Sequence, residues 1–171
     1  MKFTQEQLTE VELSFNKVKA YEGSQIIDSN YSRSLFDGIE NDLINVGTAY
    51  RYGVGVKKNP DKAIKYFLEA IKLGSGEAAL QLGHIFKHDG WWWGRKSYRF
   101  NADDCYKTAI NLWKKEAEKG NHNAAWSLYY KYRHRPKEAE KWSSLAIKLA
   151  EKLGDEEQVR FMKGILNERK D

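Results

Sequence analysis

The chain has 171 residues, 41% hydrophobic and 31% charged, with a formal net charge of +5, the composition of one domain with an ordinary core. A single cysteine, Cys105, excludes an internal disulfide, and no stretch approaches membrane-spanning length. The first residues, MKFTQEQLTE, lack the apolar centre of a signal peptide, so the expected compartment is the cytoplasm.

The elements follow in chain order. Thr4 with Gln7 three residues later makes a capping-box pattern, and Leu8, Val11, Phe15 and Val18 then recur at helical spacing, which predicts a helix over about 5–21. Residues 22–38, with Gly23, Ser24, Asp28, Ser29, Asn30 and Gly38, read as a loop holding one short turn around Leu35 and Phe36. Six helices are predicted next, over about 40–52, 60–73, 76–88, 103–119, 122–133 and 136–152. Pro60 and Pro136 suit helix starts, and Gly74, Gly120 and Gly154 suit helix stops. Asp155 caps a last helix carrying Val159, Met162, Ile165 and Leu166.

These helices repeat. Val46, Gly47 and Tyr50 recur 36 residues later as Leu82, Gly83 and Phe86, whereas Ala63, Phe67 and Gly74 recur 46 residues later as Ala109, Trp113 and Gly120. Ten extra residues therefore fall between the two helices of the second unit. The third unit begins at Leu128 with Tyr132 and resumes at Ala139, Trp142 and Ala146. Units of this length cannot bury their own apolar faces, so neighbours must stack. The expected fold is all-α: an α/α superhelical solenoid of three helix pairs, about 41–75, 76–121 and 122–154, capped by residues 1–40 and 155–171. Ala63, Tyr66, Phe67, Ala70, Ala109, Trp113, Ala139, Trp142 and Ala146 should be largely buried. Gly47 and Gly83 cost about 1 kcal/mol relative to Ala inside a helix, a cost that makes sense where a facing helix crosses too closely for a Cβ. Tyr129 at the equivalent third position predicts a wider crossing or a tilt there.

The string VGTAYRYGVGV at residues 46–56, with Lys62, Ala63, Ile64, Lys65, Tyr66 and Phe67 and then Ala70 to Gly74, resembles the Sel-one-like repeat, whose unit reads LGxxYxxGxGV, then KAxxWYxKA, then G. Asp89-Gly90 replaces the Gly-x-Gly turn in the second unit, and Tyr129 replaces the glycine in the third. The resemblance covers about residues 41–154. It implies an α/α superhelix related to tetratricopeptide repeats, without intrinsic activity, that serves as a protein-binding adaptor. Some small bacterial members resemble immunity proteins that neutralise a rival's toxin; others resemble regulators of surface or secretion pathways.

The insertion in the second unit reads KHDGWWWGRKSYRFNA over residues 87–102. Trp91, Trp92, Trp93, Tyr98 and Phe100 are interleaved with Arg95, Lys96 and Arg99, the residue types that dominate interface hot spots. The alternative use of the tryptophans is as a plug between helices. A second basic-aromatic stretch carries Tyr129, Tyr130, Tyr132, Arg133 and Arg135, and its bland reading is a solvated helix end with cations suited to the dipole. Residues 84–137 hold 12 basic and 5 acidic groups, a net +7, against −3 for residues 1–40. Such a patch favours an anionic partner, an acidic protein face ahead of RNA, since no nucleic-acid motif accompanies it. Catalysis finds little support: His84 and His88 stand four apart with no Glu between them, His122 and His134 lack ligand spacing, and Cys105 has no His or Lys neighbour except Lys107. No catalytic residue, metal site or cofactor is expected. The sequence points to a protein-binding module, most specifically a cytoplasmic immunity protein that neutralises a toxin with an acidic face. A regulatory adaptor and an RNA-binding module are the alternatives. Trp91, Trp92, Trp93, Arg95, Lys96, Tyr98, Arg99, Arg133 and Arg135 are the expected partner-binding residues.

Overall fold

The computed structural model describes residues 4–24, 38–88 and 101–168, and every regular element among them is an α-helix. In chain order these are α1 (Gln5–Ser24), α2 (Ile39–Tyr52), α3 (Pro60–Lys72), α4 (Gly76–His88), α5 (Ala102–Glu118), α6 (His122–Tyr132), α7 (Pro136–Leu153) and α8 (Glu156–Asn167). The fold class is the all-α helix-pair repeat expected of an α/α solenoid. Helix α1 runs past its expected end near residue 21, and at Glu22 it accepts a 2.9 Å ion pair from Lys65 of α3. The short turn expected around Leu35 and Phe36 lies outside the described residues. The chain forms two compact units, residues 1–109 and 110–171, with the division inside α5.

Most helix starts are fixed by a side chain that accepts from an otherwise unpaired amide. Thr4 and Gln7 close the capping box, with Thr4 N–H donating to Gln7 Oε1 at 2.9 Å and Gln7 N–H to Thr4 Oγ1 at 3.2 Å. Asn59, Ser75, Asn101 and Asn121 accept in the same way from Lys62, Ala78, Asp104 and Ala124, and Asp155 accepts from Gln158.

In the first unit, α1 packs on α2, α2 on α3 and α3 on α4. Leu43, Val46, Ala63, Phe67, Ala70, Ala78 and Leu82 are fully or almost fully buried in one core. One close approach is between α2 and α3, where a Cβ on Gly47 would lie 2.8 Å from Phe67 Cε1. The second approach repeats the first: a Cβ on Gly83 of α4 would lie 2.5 Å from Tyr106 Cε1 of α5. Both mid-helix glycines thus make room for a facing ring, as the sequence argument required. Tyr66, expected to be largely buried, is not. Its ring stacks on Tyr50 at 5.8 Å with Lys65 Nζ 5.2 Å away, which leaves the side chain half-buried at the surface.

Tyr106 corrects the expected register of the second pair. Tyr106 does opposite Gly83 what Phe67 does opposite Gly47, and Ala102 and Ala109 flank it as Ala63 and Ala70 flank Phe67, an offset of 39 rather than 46. The offset of 46 holds at the helix end, where Gly74 and Gly120 both have positive φ. Of the ten extra residues, six lie in the connection and four lengthen α5 relative to α3.

In the second unit α7 folds back on α6 across the three-residue connection 133–135, and α8 packs on α7. Here the large and small positions are exchanged. Tyr129, where the first pair has Gly47, is buried on α6, and the position on α7 equivalent to Phe67 is occupied by Ser143, also buried. The Tyr129 ring stacks on Trp126 of its own helix, with ring centres 4.5 Å apart and planes inclined by 25°. Ala139 and Tyr132 are half-buried, not core, because both sit beside the short connection. Trp113, Trp142 and Ala146 are buried as expected.

Gly47→Ala tests the close approach. Helix propensity alone favours the substitution by about 1 kcal/mol, while crowding a packed core costs roughly 1–3 kcal/mol. Phe67 is fully buried and cannot swing aside, so the variant should be less stable in urea denaturation. Adding Phe67→Leu should cost less in the Gly47→Ala background than in the wild type. Additive effects, or a stabilised Gly47→Ala, would show that the ring does not set the crossing.

Candidate functional site

Of the expected partner-binding residues, Trp91, Trp92, Trp93, Arg95, Lys96, Tyr98 and Arg99 lie outside the described residues. Arg133 and Arg135 are described, and the turn between α6 and α7 brings them together. From Lys119 to Lys137 the sequence contains no acidic residue. Arg133, His134 and Arg135 are exposed.

Arg133 ends α6 in helical conformation and donates from Nε to His134 Nε2 at 3.2 Å. A cation there faces the negative end of the α6 dipole and is favoured. Arg135 stands at the N-cap of α7 in extended conformation, with no side-chain cap, and Pro136 follows as the first helical residue. Its N–H donates to Tyr132 O at 2.7 Å, and its guanidinium carbon lies 5.8 Å from the Tyr132 ring centre. That placement runs against helix physics. The N-cap position selects Ser, Thr, Asp or Asn, and a cation at the positive end of a helix dipole is disfavoured by a few tenths of a kcal/mol to about 1 kcal/mol. The starts of α1, α3, α4, α5, α6 and α8 all have a capping side chain. The basic turn gives up the cap and keeps the charge. The bland reading as a dipole-matched helix end therefore covers Arg133 but not Arg135. Tyr130, 43% exposed on the preceding turn, adds an aromatic surface nearby in sequence.

The other candidates have structural roles. His84 lies edge-on to Tyr106 at 5.8 Å and 6.1 Å from His88, and no group of three or more metal-ligating side chains occurs among the described residues. Cys105 belongs to the first unit's core, and burial, followed by the charge of Asp104, pushes its thiol up to about 11. Burial also raises Tyr106. Among the described residues, no helix is long and apolar enough to cross a membrane.

Two polar arrangements escaped the sequence reading. Arg51 is buried, donates from Nη1 to Gln81 Oε1 at 2.8 Å, and so ties α2 to α4; Gln81 in turn donates to Glu77 at 2.7 Å. Between α1 and α2, buried Ser14 donates to Asp42 Oδ1 at 2.8 Å and accepts from Asn45 at 3.3 Å. A signal existed for Ser14, which lies on the same face as Val11, Phe15 and Val18.

Comparison with known proteins places a family on part of this geometry. The model of the Sel1 repeat matches residues 43–75, which comprise most of α2, the turn and α3. No curated protein matches the chain. Among solved structures, a Sel1 repeat protein from Oxalobacter formigenes is similar at 20% identity and a TM-score of 0.44, over 86% of this chain and 55% of its own. The c5321 protein, a protective antigen present in uropathogenic Escherichia coli strains with an SLR fold, is similar at 17% identity and a TM-score of 0.43, over 83% of this chain and 30% of its own. The chain thus spans about half or less of the length of these solved relatives.

The raised Cys105 thiol predicts a pH dependence. Burial favours the neutral form, so the folded value of about 11 lies above the ordinary value of 9.0. The resulting stabilisation is fully present below pH 9 and is lost as pH rises towards 11. Thiolate absorbance should therefore develop near pH 11 in the native protein and near pH 9 in denaturant. Rapid labelling of the native thiol at pH 8 would contradict the buried placement.

Proposed function

We propose that this protein, a Sel1-repeat chain by its residues 43–75, is a non-catalytic protein-binding module and, more specifically, a cytoplasmic immunity protein that binds and neutralises a bacterial toxin. The repeat supports the general part of that reading, since paired helices of this kind are protein–protein interaction modules. The observation that carries the specific part is the basic turn, where Arg135 occupies a helix N-cap at a cost to α7. Charge kept against local stability suits an acidic face on a partner, which it attracts at long range and orients on arrival.

The long connection between α4 and α5 supports the same reading. It spans 13 residues against 7 between α2 and α3, and it carries the Trp91, Trp92 and Trp93 run with Arg95, Lys96, Tyr98 and Arg99. Loops set on rigid helices are where repeat proteins place partner-specific residues. In this proposal the tryptophans anchor the partner and the arginines steer it.

The test is co-expression. The reading frame adjacent to this protein's gene should arrest bacterial growth alone and permit it when this protein is present. If no neighbouring frame is toxic, the immunity reading fails and a regulatory adaptor takes its place. With the partner in hand, Arg133→Glu with Arg135→Glu should slow association about tenfold at low salt, with a smaller change in the off-rate. Trp92→Ala or Trp93→Ala together with Arg95→Ala should cost about 2 kcal/mol or more of binding while leaving helicity intact. Micromolar binding of mixed single-stranded RNA at physiological salt would transfer the basic turn to nucleic acid.

A further inference from the structure

The basic turn addresses an acidic partner; the first unit carries a groove of the opposite preference. It lies between the N-terminal half of α1 and the C-terminal half of α2 and encloses about 450 Å³. Cavities of roughly 300–1,000 Å³ are the ordinary size for holding a ligand, and this one suits one or two side chains. Its walls are mainly apolar: Val11 of α1, Ala49 and Tyr52 of α2, and Val54 in the turn that follows. Tyr52 is 54% exposed, a large aromatic surface left open at the mouth. Among the described residues Glu10 is the only charged one lining the groove, with Gln7, Asn45 and Thr48 as the other polar lining residues.

The polar side is held in place. Asn45 Nδ2 reaches both Glu10 Oε1 at 3.4 Å and Ser14 Oγ at 3.3 Å, and Ser14 donates to Asp42. The seam that joins α1 to α2 therefore also positions the Glu10 carboxylate over an apolar floor. The Asn45 contact is long for a hydrogen bond, so the carboxylate retains capacity to accept.

We propose that this groove binds a basic segment of a partner polypeptide, a lysine or arginine next to an apolar residue. The long stem of such a side chain matches the apolar walls while its cation reaches Glu10, a division that basic side chains make wherever an apolar surface meets a charge. An acidic segment is repelled by Glu10. A purely apolar segment covers the carboxylate and leaves it desolvated without a counter-charge, which is costly. The two helices that form the groove have the matching sign, since α1 and α2 together carry six acidic and three basic residues. This site is additional to the basic turn and selects the opposite chemistry. It can be probed without reference to any toxin, so its failure and the failure of the immunity reading are separable.

The experiment is an NMR titration of the full chain with three capped tripeptides, acetyl-Leu-Arg-Leu-amide and its citrulline and glutamate counterparts. Citrulline preserves the shape of arginine and removes its charge. The arginine peptide should give saturable amide shifts at Val11, Thr48, Tyr52 and Val54 in the millimolar range, as befits so small a ligand. The citrulline peptide should bind about fivefold more weakly, the scale of an exposed ion pair, and the glutamate peptide more weakly still. Glu10→Gln keeps an oxygen for Asn45 and should bring the arginine peptide down to the level of citrulline. Absence of saturable shifts with the arginine peptide overturns the proposal, as does equal binding of all three peptides or an unchanged affinity in Glu10→Gln.

Discussion

The first unit depends on one contact, the Phe67 ring against the bare backbone of Gly47. A helix pair can approach this closely only when one partner presents no side chain at the crossing, and the ring then fills the space that the missing Cβ leaves. Burial of the ring and the two alanines that flank it follows from that approach. The arrangement recurs with Gly83 and Tyr106; in the third pair the sequence register sets Tyr129 at the glycine position of the first helix and Ser143 at the ring position of the second, both buried. The first two pairs share a ring set against a bare glycine, and the third departs from both in sequence. This also accounts for a family match confined to residues 43–75. A sequence pattern that fixes the glycine, the aromatic and the spacing between them is met by the first pair; the second has both residues at 23 positions apart instead of 20, and the third has Tyr129 in place of the glycine.

How much of the sequence could be read depended on the length of each signal. Helix starts and stops were legible to within a few residues because caps, prolines and terminal glycines act locally. The register of α5 was not legible. Tyr106 and Trp113 are seven residues apart, two turns of a helix with 3.6 residues per turn, so both lie on nearly the same face. Both registers predict burial of Ala109, and Trp113 shares the face of Tyr106, so the burial of these two residues does not choose between the registers. Only the ring that meets Gly83 separates them, and that is a contact between helices to which periodicity is blind. The polar seam of Ser14, Asp42 and Asn45 escaped for a related reason: a small hydroxyl on an apolar helix face reads as a gap in the pattern until its partner on the next helix is known.

The candidate site was legible as composition and illegible as cost. The sequence shows arginines at 133 and 135 and a run from Lys119 to Lys137 without an acidic residue, but helix ends are often basic, and that alone argues nothing. The structure separates the two arginines. Arg133 lies at the end of α6, where charge and dipole agree, and Arg135 lies at the start of α7, where they do not. Among the described helices six begin with a side chain that accepts a backbone hydrogen bond, and α2 begins at Gly38 without one, so the residue types that satisfy this position are in ample use. Replacing Arg135 with one of them would gain a cap and remove a misplaced cation. Arg135 thus keeps an exposed cation at the turn at the expense of α7, and that exchange is the physical content of the partner-binding role proposed for it.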